Sequence, residues 1–579
     1  MGMKAEKKIV EVFMESGIDH VFVYPGGATI PVVNALYDVR DKIKVVLTRN
    51  EQTASCMANA YGRLTGKPGV FIAQGPFAAS AGLFGVLESQ SGSAPMLVLT
   101  DVTDFGAFGT HPPAQCCSGE YGSINLKEIL GRTCKYVASP VTPVELVQGV
   151  QQAIKHSLSG RPGPTAVLIR SSNLSGEIDP ESFPKLYPTK RYAGRNSSYV
   201  GSKDIRECLS WVREASSPVV IAGNGIHVSK AYGPLQKVVE ALAIPVVTSN
   251  MGKGAIDENH PLAGGVMGSF GHPHANQLVA EADLLVIIGC RLKPQDTNFE
   301  NPKMINPDRQ KIIQIDIDPH NLGWNYPVDL PLCGDAYAFL NQFLDVSPFE
   351  SIDFRAHIRT KRLHDMKKKE FGDHSLFSDT VPILPQRLVS EIQATAPPDL
   401  MVFTDGGNNR FWMMRFYQAK PGAYWGPGGT LAVSYGPPAA VVAKMLFPER
   451  PCLAVCGDGG MAMQIHILST ALQYNAPVVF LVFNDSRLGM IQEWQRDKAI
   501  GTEFIPTDFA AIAHGFGCKG YRITSPEELR PALLKAYTSD VPVVLDVLIN
   551  REEKIYEKLY SPLAKEVMNL LSRKNHYYL

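Results

Sequence analysis

An excess of positive charge is the first thing this chain lacks: 56 Lys plus Arg are cancelled by 56 Asp plus Glu across 579 residues. Holding a phosphate backbone takes a basic surplus that displaces counterions, so a nucleic-acid partner is not expected. A CxxC pair is missing too. The ten cysteines, Cys56, Cys116, Cys117, Cys134, Cys208, Cys290, Cys333, Cys452, Cys456 and Cys518, lie partly in apolar runs such as VIIGC and CLAVC. That pattern describes reduced core thiols rather than a disulfide framework or a cysteine metal cage. No uncharged apolar run is long enough to span a bilayer. The N-terminal MGMKAEKKIVEVFMESGI spaces its apolar residues as an amphipathic helix, not as a signal peptide. A cytoplasmic protein with no membrane partner is expected.

With 45% hydrophobic and 19% charged residues, disorder is not indicated either. One hydrophobic core does not serve a chain of this length, and about 150 residues per domain gives three or four domains. Apolar β-rich runs alternate with helical patterns throughout, as in α/β domains whose parallel sheets carry helices on both faces. Three consecutive α/β domains are expected, at residues 1–180, 195–345 and 376–579, the last with a helical tail. The stretches 176–200 and 346–375 (the latter with HDMKKKEFGDH) are polar, charge-dense and aperiodic, as linkers are. The first and third domains each carry a glycine-rich turn after a strand, YPGG and VCGDGG. This raises duplication at the level of architecture, although the residues do not align.

The sharpest local signal is CLAVCGDGGMAMQIHILSTALQYNAPVVFLVFND. An apolar strand ends in Gly457-Asp458-Gly459-Gly460, a helix follows, and a second apolar strand ends in Asn484-Asp485. In a right-handed βαβ unit both strand ends open on one sheet edge, so Asp458 can meet Asn484 or Asp485 there. Oxygen ligands of this kind suit Mg²⁺, which keeps few protein ligands and bridges to phosphates. The three glycines let backbone N–H groups approach those phosphates at the helix start. Gly-Asp-Gly alone also makes a plain tight turn; the strand–helix–strand setting singles it out. In the first domain YPGG (24–27), RNEQ (49–52) and AQGP (73–76) fall at three successive strand ends. Glu51 there begins a helix, where an acid also simply complements the helix dipole.

Together these motifs resemble the acetohydroxyacid synthase (acetolactate synthase) large-subunit family of thiamin-diphosphate enzymes. VYPGGATIPVVNALY, RNEQ with AYGRLTGKPGV, ADLLVIIGCRL, IDIDP, LCGD, GDGG and LGMIQEWQ lie in that family's order and at about its spacing over the whole chain. The resemblance implies pyrimidine-binding, central and diphosphate-binding domains in that order. It also implies active sites shared between subunits of a homodimer or homotetramer, with a regulatory subunit left open. Glu51 would be the acid that hydrogen-bonds the cofactor's aminopyrimidine and promotes loss of the thiazolium C2 proton, and Gln115 would lie close to the reacting carbon. Gly26, Gly27, Gly75, Pro76, Asn408, Gly457, Gly459, Gly460, Leu488, Gly489 and Met490 would surround the cofactor, and Val433 would be the apolar wedge that bends it. Asp458, Asn484, Asp485 and the backbone of Arg487 would hold Mg²⁺. In the central domain Gly223, Asn224, Gly225, Met267, Gly268, Arg291, Asp316 and Asp335 fall where family members contact FAD, a place that related enzymes fill with ADP or leave empty.

The sequence also departs from the family. The usual Asn-Asn of the metal site is Asn484-Asp485, the His of RHEQ is Asn50, and Gly-Gln-His-Gln reads Gly406-Gly407-Asn408-Asn409. Phe77 replaces a glycine, Ala114 stands near a usual phenylalanine, and Trp494 matches the family tryptophan on the acceptor side. Gln295 occupies the place of an arginine associated with the acceptor's carboxylate, and a neutral amide lacks that charge-assisted fork. The expected activity is decarboxylation of a 2-oxo acid such as pyruvate and transfer of the acyl carbanion to a second carbonyl compound, with an aldehyde or ketone competing with pyruvate as acceptor. A non-ligating decarboxylase, an acyloin lyase and a catalytically silent binding homologue are the alternatives.

Overall fold

The chain's apolar runs build three six-stranded sheets, each parallel throughout. The computed structural model describes residues 2–103, 117–119, 123–179, 184–192, 198–346, 353–370 and 374–573. In the first sheet, β1 (His20–Tyr24), β2 (Lys44–Leu47), β3 (Gly69–Ala73), β4 (Met96–Asp101), β5 (Tyr136–Ala138) and β6 (Pro164–Ile169) lie in the order β2-β1-β3-β4-β6-β5. In the second, β7 (Pro218–Ala222), β8 (Val246–Thr248), β9 (Ala263–Val266), β10 (Leu284–Ile288), β11 (Lys311–Asp316) and β12 (Leu330–Cys333) lie β9-β8-β7-β10-β11-β12. The third holds β13 (Met401–Thr404), β14 (Tyr424–Trp425), β15 (Cys452–Gly457), β16 (Val479–Asn484), β17 (Lys519–Ile523) and β18 (Val543–Leu548), in the order β14-β13-β15-β16-β18-β17. The α/β class with three parallel sheets is therefore observed.

Runs such as MLVLTD and VFLVFN are buried along their whole length, because helices cover both faces of a parallel sheet. By compactness the chain falls into two units. One comprises Met1–Asn196, Pro427–Glu449 and Met463–Val478; the other comprises Ser197–Gly426, Arg450–Ala462 and Val479–Leu579. In the first unit, helices Ala5–Glu15 and Pro143–Leu158 share a core with the sheet through Ile9, Phe13, Val150 and Ile154. In the second unit, one core surrounds the third sheet through Val402, Leu453 and Leu481, and two cover the faces of the central sheet.

Both stretches read as linkers carry structure. Glu177–Ile178 pairs antiparallel with Met3–Lys4. Within 346–375, residues Ile358–Glu370 form a helix whose Leu363 is fully buried against the central core. Its sequence, IRTKRLHDMKKKE, has so few apolar positions that its helical period is faint; docking supplies the stability that pattern does not announce.

Candidate active site

In the first unit the ends of β1, β3 and β4 are tied by one aspartate. Asp101, which ends β4 and is buried, accepts hydrogen bonds from the backbone of Gly75 (2.7 Å) and of Ala28 (2.9 Å). Burial raises its pKa and the two amide donors oppose the rise. This tie demands glycine in both turns. Gly27 has φ +56°, and a Cβ there would stand 2.3 Å from Asp101 Oδ2; a Cβ on Gly75 would meet the Asp101 carbonyl at 2.3 Å. Gly26 is extended, and the Thr29 hydroxyl donates to its carbonyl at 2.7 Å. Pro76 stands in the first turn of the short helix Gly75–Ala78, from which Phe77 projects half-exposed.

Glu51 opens helix Glu51–Thr65 and is buried. Asn50 caps that helix by accepting from Thr53 N at 2.8 Å, so the departure from histidine serves the local fold. Among the described residues the Glu51 carboxylate has no hydrogen-bonding or ion-pair partner. The Val433 segment belongs to the same unit. Val433 lies between Leu431 (φ 55°) and Ser434 (φ 75°), and Gln52 Nε2 donates to Ser434 Oγ at 3.1 Å. A second buried acid, Glu88, accepts from the backbone of Gly428 and Ala432 and from the Thr430 hydroxyl. The loop carrying Val433 is thus anchored at both ends. Gln115 and Ala114 lie outside the described residues.

In the second unit, strands β13, β15 and β16 end together at the point where the order β14-β13-β15-β16 reverses, the edge at which parallel sheets receive ligands. Asp458 follows β15, is buried, and accepts from Gly459 N (2.7 Å) and Arg487 N (3.2 Å). Burial, with the like charge of Asp485 second, pushes its pKa up to about 7. Burial also raises Asp485, although Arg487 Nε donates to Asp485 Oδ2 at 2.7 Å. The guanidinium is fixed further by Gln492 Oε1 and the Arg551 carbonyl. Asn484 donates through Nδ2 to Asp546 Oδ1 (2.7 Å) and to the Thr507 carbonyl (3.1 Å), which sets the direction of its own carbonyl oxygen.

Around this cluster the backbone is open. A Cβ on Gly457 would find no atom closer than Asn409 Nδ2 at 4.0 Å, whereas one on Gly459 would meet Leu488 Cδ2 at 3.0 Å. A Cβ on Gly489 would stand 3.1 Å from Asp485 Oδ2 and 3.3 Å from Asn408 Nδ2, so these residues share one place. Gly460 is buried in the turn of helix Asp458–Met463, and Met490 packs partly buried against the third-sheet core. Asn408 spends its amide on Glu493 Oε1 at 2.7 Å. Among the described residues no three His, Cys, Asp or Glu side chains cluster. A divalent cation here would therefore draw on two carboxylates plus amide and backbone oxygens, a set that suits Mg²⁺. Arg487 compensates Asp485, which leaves the buried Asp458 carboxylate as the charge that such an ion relieves.

The central sheet runs in the order 3-2-1-4-5-6 by its own strand sequence, the dinucleotide-binding order. Gly223, Asn224 and Gly225 follow β7, Met267 and Gly268 follow β9, Arg291 follows β10, and Asp316 ends β11. A Cβ on Gly225 would stand 2.6 Å from Gly289 Cα, a packing reason for that glycine. Met267 is fully buried in a core of the central sheet. Asp316 accepts from Asp318 N and Asn321 Nδ2, and Asp335 from Ala338 N at 3.0 Å as a helix cap. Gln295 is half-buried and its carbonyl accepts from Ser269 N at 2.8 Å. Trp494 donates its indole N–H to Tyr556 Oη and meets that ring edge-on at 5.2 Å.

Sequence reasoning missed Asp101, Glu88, Asp546 and Tyr556. Asp101 and Asp546 had a signal, an acid at or near the end of an apolar strand; Glu88 and Tyr556 act through partners remote in sequence.

Models of three families match successive stretches: the thiamine pyrophosphate enzyme N-terminal TPP binding domain at residues 3–120, the central domain at 205–343, and the C-terminal TPP binding domain at 405–547. A probable acetolactate synthase large subunit of Methanocaldococcus jannaschii is 31% identical, over 96% of this chain and 93% of its own length. The acetolactate synthase isozyme 3 large subunit of Escherichia coli is 29% identical, covering 96% of each chain. A putative thiamine pyrophosphate-containing protein, YdaP of Bacillus subtilis, is 29% identical over 97% of this chain and 94% of its own length.

Proposed function

Because this chain belongs to the thiamine pyrophosphate enzymes of the acetolactate synthase large-subunit family, we propose that it decarboxylates a 2-oxo acid such as pyruvate and joins the remaining acyl group to a second carbonyl compound. The observation that carries this reading is the meeting of Asp458, Asn484 and Asp485 beside the open backbone of Gly457. Thiamin diphosphate, when bound, supplies the electron sink that lets a carboxylate depart as CO₂.

The remaining work falls to the chain. Asp458, Asn484 or Asp485 and the Arg487 backbone would hold Mg²⁺ against the diphosphate, with Gly457, Gly459 and Gly460 giving it backbone access. Glu51, buried with no partner among the described residues, would hold a proton at its carboxyl for the cofactor's pyrimidine ring. Val433, on a loop fixed by Glu88 and Gln52, would support the cofactor's bend. The working unit would be a homodimer or homotetramer. Incubation with thiamin diphosphate, Mg²⁺ and a panel of 2-oxo acids and aldehydes, with products read by mass spectrometry, tests the reading: coupled products are expected, and the absence of both CO₂ and coupled product would overturn it.

Gln295 favours an uncharged acceptor over a second 2-oxo acid. A charge-assisted hydrogen bond is worth roughly 1.5–3 kcal/mol, so its loss amounts to about tenfold to a hundredfold in selectivity. Gln295→Arg is expected to shift competing products back toward the acid; mainly acetolactate-type products from the parent would refute the argument. For the central domain, strand order and the Gly223–Gly225 turn favour a structural adenine nucleotide, FAD ahead of ADP. Chromatography of the denatured protein checks this by the nucleotide released.

A further inference from the structure

Helix Ile358–Glu370 lies at the edge of the central sheet opposite the one just considered. Arg359 donates to the backbone carbonyls of Ala215 (3.1 Å), Ser216 (3.2 Å) and Leu242 (3.3 Å), residues that precede β7 and β8. The helix is therefore fixed at the amino ends of the strands, whereas Gly223, Gly268 and Asp316 stand at the carboxyl ends.

Beside this helix opens a cavity of about 530 Å³ lined by Arg355, Lys361, His364, Lys367 and Lys368, with Glu258 its one carboxylate among the described residues. Glu258 is matched at one oxygen, and its charge also acts on Lys367. Its Oε2 accepts from the fully buried Lys253 Nζ at 2.5 Å and from Ala419 N at 2.8 Å. His260, also on the wall, turns a ring nitrogen to Glu240 at 2.9 Å. Among the described residues Lys361, His364, Lys367 and Lys368 have no ion-pair partner, and Lys367 is half-buried, which lowers its pKa. Positions 361, 364 and 368 share one helical face. Arg355, Lys361, Lys367 and Lys368 outnumber the one carboxylate of Glu258, which is already shared with Lys253; the surplus cations repel one another, and a bound anion offsets that cost.

We propose that this cavity is a binding site for a small phosphate-bearing molecule carrying two or more negative charges. Three ammonium groups and one guanidinium offer point charges and a planar fork, the donor set that phosphate oxygens take, and the volume falls in the range of about 300–1,000 Å³ usual for small-molecule sites. This site is independent of the carboligase reading.

The test uses the full chain loaded with thiamin diphosphate, Mg²⁺ and FAD, then freed of excess cofactor, so that the other diphosphate-binding places are filled. Isothermal titration with inorganic pyrophosphate should give one site per chain whose affinity falls with ionic strength. Lys361→Glu combined with Lys368→Glu should weaken it at least tenfold, while Lys361→Arg with Lys368→Arg stays within threefold of the parent; both pairs are exposed positions, and unchanged circular dichroism checks the fold. No binding by the parent, or binding by the Glu pair within twofold of it, would overturn the proposal. So would citrate binding more tightly than pyrophosphate, because the site would then be built for carboxylates.

Discussion

The first and third sheets thread their strands in the same order, second-first-third-fourth-sixth-fifth, and both put glycine turns at the carboxyl ends of their central strands. Their aspartates do opposite things. Asp101 in the first sheet is spent internally, each carboxylate oxygen taking a backbone N–H and knitting two turns together. Asp458 in the third also accepts two backbone donors, but burial, with a second carboxylate beside it, pushes its pKa up to about 7. One topology therefore holds a satisfied acid in one place and an electrically frustrated acid in the other. Chemistry is set by what the strand ends present, not by the strand order.

The largest effects should come from the frustrated edge. Asp458→Ala removes the carboxylate that the metal reading requires, and Mg²⁺-dependent binding of thiamin diphosphate should weaken by about a hundredfold or more. Calorimetry with and without Mg²⁺ decides it, and parental affinity would erase the contrast between the two sheets. Next in size is Glu51→Gln. Cofactor affinity should stay within a few fold, while turnover drops by about 10²–10⁴, the scale of a lost acid–base group. Turnover within threefold of the parent would remove Glu51 from the chemistry.

A smaller effect sharpens the comparison through pH. The ordinary Asp value is 3.8, and in the folded, metal-free protein Asp458 keeps its proton up to about 7. Between those values the folded state binds the extra proton, so this group's contribution to metal-free stability falls as pH rises from about 4 to about 7. A metal takes the deprotonated form, so Mg²⁺ affinity should rise about tenfold from pH 6 to pH 8. Thermal melts of metal-free protein and Mn²⁺ titrations followed by paramagnetic resonance read the two slopes. A flat Mn²⁺ affinity over that range would mean that Asp458 is not the titrating ligand.

Much of this contrast was legible in the sequence, because strands, glycine turns and terminal acids are local signals. YPGG, RNEQ, AQGP and GDGG all fall at strand ends, and the meeting of Asp458 with Asp485 follows from the handedness of one βαβ unit. What escaped is non-local. Nothing near Glu88 in LFGVLESQSG announces that its carboxylate will receive three donors from residues 428–432. The strand order that separates the central sheet from its neighbours depends on pairings between distant segments. Helix Ile358–Glu370 was hidden for another reason: its charge density reads as a solvated linker, although Leu363 and Met366 suffice to seat it.

The smallest expected effect on chemistry belongs to Asp101, and it is the one that would break the comparison if it failed. Asp101→Ala leaves the buried Gly75 N–H without its acceptor, at about 1–3 kcal/mol, and the half-buried Ala28 N–H without one as well, at less cost. The protein should therefore melt several degrees lower, with the loss read in the unfolding of the first unit. Asp101→Asn keeps one oxygen acceptor and should recover part of that loss. Because no reacting atom is assigned to Asp101, turnover of the cofactor-saturated Asn variant should stay within about tenfold of the parent, far above the drop expected for Glu51→Gln. A loss of turnover as large as that of Glu51→Gln, in a variant that remains folded and saturated, would show that the first sheet's aspartate takes part in the reaction, and the division between a satisfied and a frustrated edge would have to be abandoned.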